Sequence, residues 1–315
     1  MSNKAPFPVD PALTAIAIAY RNSRLIADEV LPRIPPLPRQ EFQWWKFALD
    51  ENFRIPDTKV GRTSRPNEVE FSASQESEST EDYALDDPIP QSDIDNASEG
   101  YDPVGRATES LTDLIMLDRE KRCADIVFDE NTYPPTQRET LSGADQFSDS
   151  SSKPIVKLMR VMDKMIMRPN IMVIGRLAFT DMIQNPSIVR AYHRNDGGDG
   201  TADAKFLADI LGLEQILVGE AWLVTSKKGQ ATTTTARVWG KHIALLHRDK
   251  LANPTTGSAG RATFGFTAQW GQKVAGKIPD PHIGMRGGMR IRSGESVKEC
   301  ICAPDFGYFL KNVVA

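Results

Sequence analysis

Apolar positions along this chain change period several times, and each change predicts an element. Asp10-Pro11 reads as a helix start, with aspartate as N-cap and proline at the first helical position, where its missing N–H does no harm. Leu13, Ile16, Ala17 and Tyr20 follow at helical spacing. The pattern weakens at Arg21, resumes at Ile26-Ala27 and must stop near Pro32. Pro32, Pro35, Pro36 and Pro38 then exclude a helix interior or central strand and favour extended chain. Residues 41–49, EFQWWKFAL, predict an aromatic-rich strand. Extended chain is predicted again at 68–71 and 83–85, which gives a long hairpin over 41–85. Its tip is the segment FRIPDTKVGRTSRP.

Residues 103–128 predict the longest helix. Asp102-Pro103 repeats the start signal, and Ala107, Leu111, Leu114, Leu117, Ala124, Val127 and Phe128 recur three or four apart, interrupted by Lys121. Such a helix is about 39 Å long. Tyr133-Pro134-Pro135 ends it, and a polar loop runs over 136–152. Beyond this the chain reads as a mixed domain. Helices are expected at 154–167, 177–184 and 202–211, the last ending at Gly212. Strands are expected at 170–175, 215–218, 221–225, 236–244, 263–270, 289–292 and 297–302. The fold class is α+β.

Charge sharpens this picture. Between Pro66 and Asp102 there is no Lys or Arg, and Asp and Glu recur throughout. The predicted tip, by contrast, carries Arg54, Lys59, Arg62 and Arg65. The 315-residue chain is 40% hydrophobic, enough for a large core, and its net charge of −4 gives no whole-chain pull toward nucleic acid or an anionic membrane. No apolar run approaches a membrane span, and no export signal is visible. Three cysteines, Cys123, Cys300 and Cys302, do not make a disulfide framework.

Chemistry is sparse. There is no Gly-Lys-Ser/Thr phosphate loop, no His-Glu-x-x-His and no Gly-x-Ser-x-Gly elbow, so no catalytic residue and no cofactor is expected. Gly197-Gly198-Asp199-Gly200 reads as a connector rather than an anion site. His193, His242, His247 and His282 lack a visible partner and read as structural. Cys300 and Cys302 share a strand face and read as core rather than half of a metal site. Met159, Met162, Met165 and Met167 read as core filling. Asp82, Asp86 and Asp87 are dense enough to attract a cation but lack calcium-loop spacing. Arg286, Arg290 and Arg292 could touch a nucleic-acid backbone, but a solvated edge or a salt bridge to the acidic tract of another chain is favoured, because no aromatics interleave.

The order of these parts resembles the tailed-phage major capsid proteins of the Hong Kong 97 type. Strings that carry the resemblance are ADEVLPRI, PNEVEFS with STEDYALDDPIP, KPIVKLMRVMDKMIMRPNIMVIGRLAF, and LGLEQILVGEAW with VWGKHIALL. It covers essentially the whole chain. It implies an N-terminal arm (1–40), an extended E-loop (41–85), a peripheral domain (86–169) with a spine helix at 103–128, an axial domain (170–277) and a return to the peripheral domain (278–315). It further implies self-assembly through hexamers and pentamers into an icosahedral head around double-stranded DNA. Scaffolding protein, portal and a decoration protein are the implied further partners. Assembly would use a separate scaffold or none, and no crosslink at Lys59 is expected.

On that reading the work is binding between subunits. Trp44, Trp45, Phe47 and Phe53 are expected to pack on neighbours. Arg54, Lys59, Arg62 and Arg65 are expected to meet an acidic surface across the boundary, with Glu76, Glu78, Glu81 and Asp82 of the returning strand as candidates. Two alternatives compete: a cellular encapsulating shell with enzyme cargo, and a soluble metal-dependent hydrolase using Asp82, Asp86 and Asp87.

Overall fold

The structure is a computed structural model that describes residues 8–47, 55–68, 73–193, 200–227, 229–230, 232–253, 255 and 263–315. Two sheets share one long helix. That helix, α4, runs Pro103–Val127, with Asp102 capping Val104 N. Preceding it are α1 (Pro11–Ala19), α2 (Ala27–Val30) and α3 (Gln91–Asp95). As expected, Asp10 caps α1 through Ala12 N and Leu13 N.

The first sheet is built around β12 (Gly288–Ile301). Along one side runs β3 (Glu81–Pro90); along the other lie β10 (Gly265–Gln269) and β11 (Val274–Asp280) in succession. Ala107 and Leu111 of α4 pack on Ile89 and Ile291 of this sheet. The second sheet has the order β4 (Arg138–Thr140), β13 (Gly307–Lys311), β9 (Ile243–Leu246), β5 (Ile171–Gly175) and β6 (Gln215–Gly219). Both faces of β5 and β9 are buried, which explains their unbroken apolar sequence. One face meets α5 (Pro154–Met162), α6 (Arg176–Gln184), α7 (Pro186–His193) and α8 (Ala204–Leu211). The other face meets Cys123, Ala124 and Val127 of α4 and Ile26–Leu31 of the arm.

Several sequence expectations need correction. The hairpin is β1 (Glu41–Phe47) with β2 (Ala73–Ser79), and it closes at Thr80 rather than residue 85. Tyr83–Leu85 belong to β3, because that segment finds a full ladder on β12. Residues 69–71 lie outside the described residues, as do 48–54. The predicted strand 236–244 is two elements, β8 (Thr235–Arg237), which pairs with β7 (Trp222–Val224), and β9. The helix from Pro154 stops at Met162, and β11 and β13 carried no expectation. The C-terminal part is split: β12 joins the first sheet, while β13 pairs with β9 in the second.

The buried face of α4 holds the expected Ala107, Leu111, Ala124 and Val127 but is wider than the apolar positions alone and excludes one of them. Leu114 is 53% exposed, while Thr108, Thr112, Ile115, Met116, Arg119, Glu120 and Cys123 are buried. Two of these polar residues satisfy themselves locally, since the Thr108 and Thr112 hydroxyls donate to carbonyls one turn back.

Candidate assembly surfaces

The hairpin has two unlike faces. Phe42 and Trp44 are buried beside Ile34, Phe266, Ala268 and Cys300 of their own chain, and Trp44 meets Phe266 edge-on at 6.3 Å. Trp44 therefore has no face left for a neighbour, which corrects the expectation for that residue. Its own β10–β12 sheet already supplies the apolar cover that an isolated ribbon lacks. Trp45 is half-buried. On the outer side Gln43 bonds Ser77, and Gln75 bonds Gln43. Phe47 ends β1 opposite Ala73. Phe53 and Arg54 lie outside the described residues.

Residues 55–68 are exposed throughout. Asn67 Nδ2 donates to Asp57 O at 2.8 Å and draws the legs of the loop together, while Ser64 N donates to Gly61 O at its turn. Lys59, Arg62 and Arg65 stand on this loop without an ion pair among the described residues, and Ile55 is 93% exposed.

The four acidic candidates divide. Glu76 and Glu78 lie on β2, exposed and with no ion pair among the described residues. Glu81 and Asp82 are engaged within their own subunit, Glu81 with Lys298 at 2.9 Å and Asp82 with Ser296. The Lys298 ammonium and the Tyr83 hydroxyl hold the Glu81 carboxyl below its ordinary value. Asp86 takes both Arg292 donors, at 2.6 and 2.7 Å, and Arg290 bonds Asp280 at 2.6 Å. Arg292 is thus paired with the acidic tract of its own chain rather than that of another chain, and Arg290 lies between that tract and Asp280.

Residues weighed for other chemistry fall into place. Met162 and Met165 are buried, with Met159 and Met167 packed beside the core. Cys300 and Cys302 pack together as small core side chains, and burial pushes the Cys300 thiol up to about 12. His242 sits edge-on to Phe128 and Phe309 and accepts from Asn312 N at 3.0 Å. Among the described residues no group of three or more His, Cys, Asp or Glu is placed to hold a metal ion.

The chain is 52% identical, over 315 residues covering all of both chains, to the major capsid protein of Pseudomonas phage JBD67. This protein belongs to the phage major capsid proteins. No family model matches the sequence. Among solved structures, a phage-related protein from Bordetella bronchiseptica RB50 superposes with a TM-score of 0.75 at 20% identity, over 97% of each chain. The capsid of Cyanophage P-SCSP1u superposes with a TM-score of 0.58 at 11% identity, over 99% of this chain and 92% of that one. The fold is the Hong Kong 97-type capsid fold. The family is one of structural capsid proteins.

Sequence reasoning missed what holds the arm of this capsid subunit in place. Asp28 pairs with Arg119 and Arg33, and Arg33 reaches Glu295 at 2.8 Å. Burial alone would raise the Asp28 carboxyl, but Arg119 and Arg33 outweigh it and hold it well below its ordinary value. Glu29 takes Arg248 and Lys250. Arg119 also donates to Leu31 O and Thr267 Oγ1. Beyond the root, Arg33 and Leu37 bridge Thr267 and Trp270 in parallel, so the proline-rich segment covers the outer edge of β10. The signal was present: Glu120 continues the buried stripe of α4 at four-residue steps from Thr112 and Met116, as Arg119 does from Leu111 and Ile115.

Proposed function

We propose that this major capsid protein assembles through hexamers and pentamers into an icosahedral head enclosing double-stranded DNA, with the hairpin tip as an intersubunit contact. The observation that carries the tip's role is its isolation: residues 55–68 are exposed and basic, on a hairpin whose root is fixed to the body. Lys59, Arg62 and Arg65 would meet acidic chain of a neighbour, with Glu76 and Glu78 as the candidates that remain unpaired among the described residues. Trp45, Phe47, Phe53 and Arg54 would join the same boundary. Each exposed pair is worth about 0–1 kcal/mol, so the effect is one of many repeated copies that fix register.

A net charge of −4 suits a shell that contacts its packaged DNA weakly. Scaffolding protein, portal and a decoration protein are the further partners, and assembly takes place in the host cytoplasm before the subunit resides in the virion. The experiment is the double reversal Arg62→Glu with Arg65→Glu, followed by light scattering and negative-stain microscopy. Expected are folded subunits with fewer or aberrant shells. Normal shells in normal yield would remove the tip from the account.

A further inference from the structure

We propose that Glu120 is a positioning residue that couples the arm to the second sheet, so that the arm root cannot shift unless Trp239 shifts with it. The proposal deepens the assembly reading by naming what fixes the arm before subunits meet.

Glu120 sits on α4 with no exposed surface. Its Oε2 accepts from Ala27 N at 2.8 Å, and its Oε1 accepts from Ile26 N at 3.0 Å and from the Trp239 indole N–H. Two donors are thus the first amides of the arm helix α2, and the third belongs to the turn leading into β9. An anion in a dry site depends on each such donor, because nothing replaces one that leaves. The charged neighbours are Arg119, which also ties Asp28 of the arm, and Glu299 beyond it.

The indole has one seat. Gly175 and Gly219 are paired residues at the ends of the parallel strands β5 and β6. A Cβ at Gly219 would fall 2.1 Å from Trp239 Cγ, and one at Gly175 would fall 1.8 Å from the Gly240 carbonyl oxygen. Phe128 closes the slot edge-on at 5.2 Å. Side-chain-free strand ends therefore set the indole, the indole orients the carboxylate, and the carboxylate holds the arm. A coupling of this kind is reciprocal.

The test is amide hydrogen exchange on the full-length chain before assembly. Trp239→Phe keeps a ring in the slot and removes its N–H. Gly219→Ala crowds the slot without touching the arm. In both, exchange at residues 26–31 should rise about tenfold or more, the scale of one charge-assisted hydrogen bond, while residues 288–294 of β12 keep their protection. Unchanged exchange at 26–31, or an equal rise at 288–294, would overturn the coupling. If either variant does not fold, Glu120→Gln supplies the same readout, since an amide presents one acceptor oxygen where the carboxylate uses two; arm protection equal to that of the parent chain would again overturn it. Because exchange is read on unassembled chains, the result is independent of whether shells form or the hairpin tip takes part.

Discussion

The arm and the hairpin are both extended, turn-rich and poor in core residues, yet the subunit treats them in opposite ways. Residues 26–37 are fixed on every side, by buried carboxylates, by guanidinium groups and by the edge of β10. Residues 55–68 are exposed throughout, and Lys59, Arg62 and Arg65 make no ion pair among the described residues. The lesson concerns where charge is placed. In the arm root, opposite charges face each other across a partly buried boundary, where Asp28 and Glu29 each hold two cations. At the hairpin tip Lys59, Arg62 and Arg65 stand exposed without an ion pair among the described residues, which leaves them open to a second surface. A region that looks like a reaching arm in the sequence is thus internal structure over residues 26–37, and the hairpin tip is the element proposed to reach a neighbour.

The strongest way to break the contrast is Arg119→Ala. Its side chain is 3% exposed, and its loss removes one donor each from Asp28, Glu299 and the Leu31 carbonyl, which keep Arg33, Arg122 and Thr267, and empties a buried site beneath the arm. Denaturant unfolding of the unassembled subunit should show a loss of about 3–5 kcal/mol. An unchanged midpoint would mean that the arm root contributes no stability.

Trp44→Ala against Trp45→Ala divides the hairpin itself. Trp44 is 6% exposed on the core side, so its truncation should cost about 3–5 kcal/mol in the same unfolding measurement. Trp45→Ala should cost less in stability and act mainly on shell yield. Equal stability losses would erase the two-faced hairpin.

Acid gives the smallest and most selective effect. The Asp28 carboxyl is held below its ordinary value by Arg119 and Arg33 against the opposing effect of burial. Its contribution is therefore present above the ordinary carboxylate range and is lost as pH falls through the lowered value. Glu120 runs the other way: burial raises its carboxyl against the pull of Ile26, Trp239 and Ala27, so its ionisation weighs on the fold as pH rises through the raised value. Asp28→Asn should flatten the loss of arm protection below about pH 4. A variant with the same acid limb as the parent would place that sensitivity elsewhere.

Helix starts were legible because their chemistry is local: Asp10-Pro11 and Asp102-Pro103 each cap the helix they announce, and Gly212, at a φ of 67°, ends α8. The strand β2 was not legible, since ASQESES has no apolar alternation and becomes a strand only by pairing with β1. For the same reason Glu81 and Asp82 looked free: their partners on β12 lie more than 200 residues away in sequence. The hairpin and the basic tip could be read from composition, whereas the burial of Trp44 required knowing that Phe266 and Cys300 lie beneath it. The buried face of α4 was legible at Ala107, Leu111, Ala124 and Val127 but missed Thr108, Thr112, Arg119 and Glu120, whose polarity is answered by backbone, arm and indole rather than by water.

The central claim is that the arm is settled before assembly and the hairpin tip only by it. Hydrogen exchange compared between unassembled subunits and purified shells tests it most directly. The account predicts that residues 26–37 are protected in both states, and that residues 55–68 exchange freely in the subunit and become protected in the shell. A tip that still exchanges freely in the shell, or an arm protected only there, would contradict it.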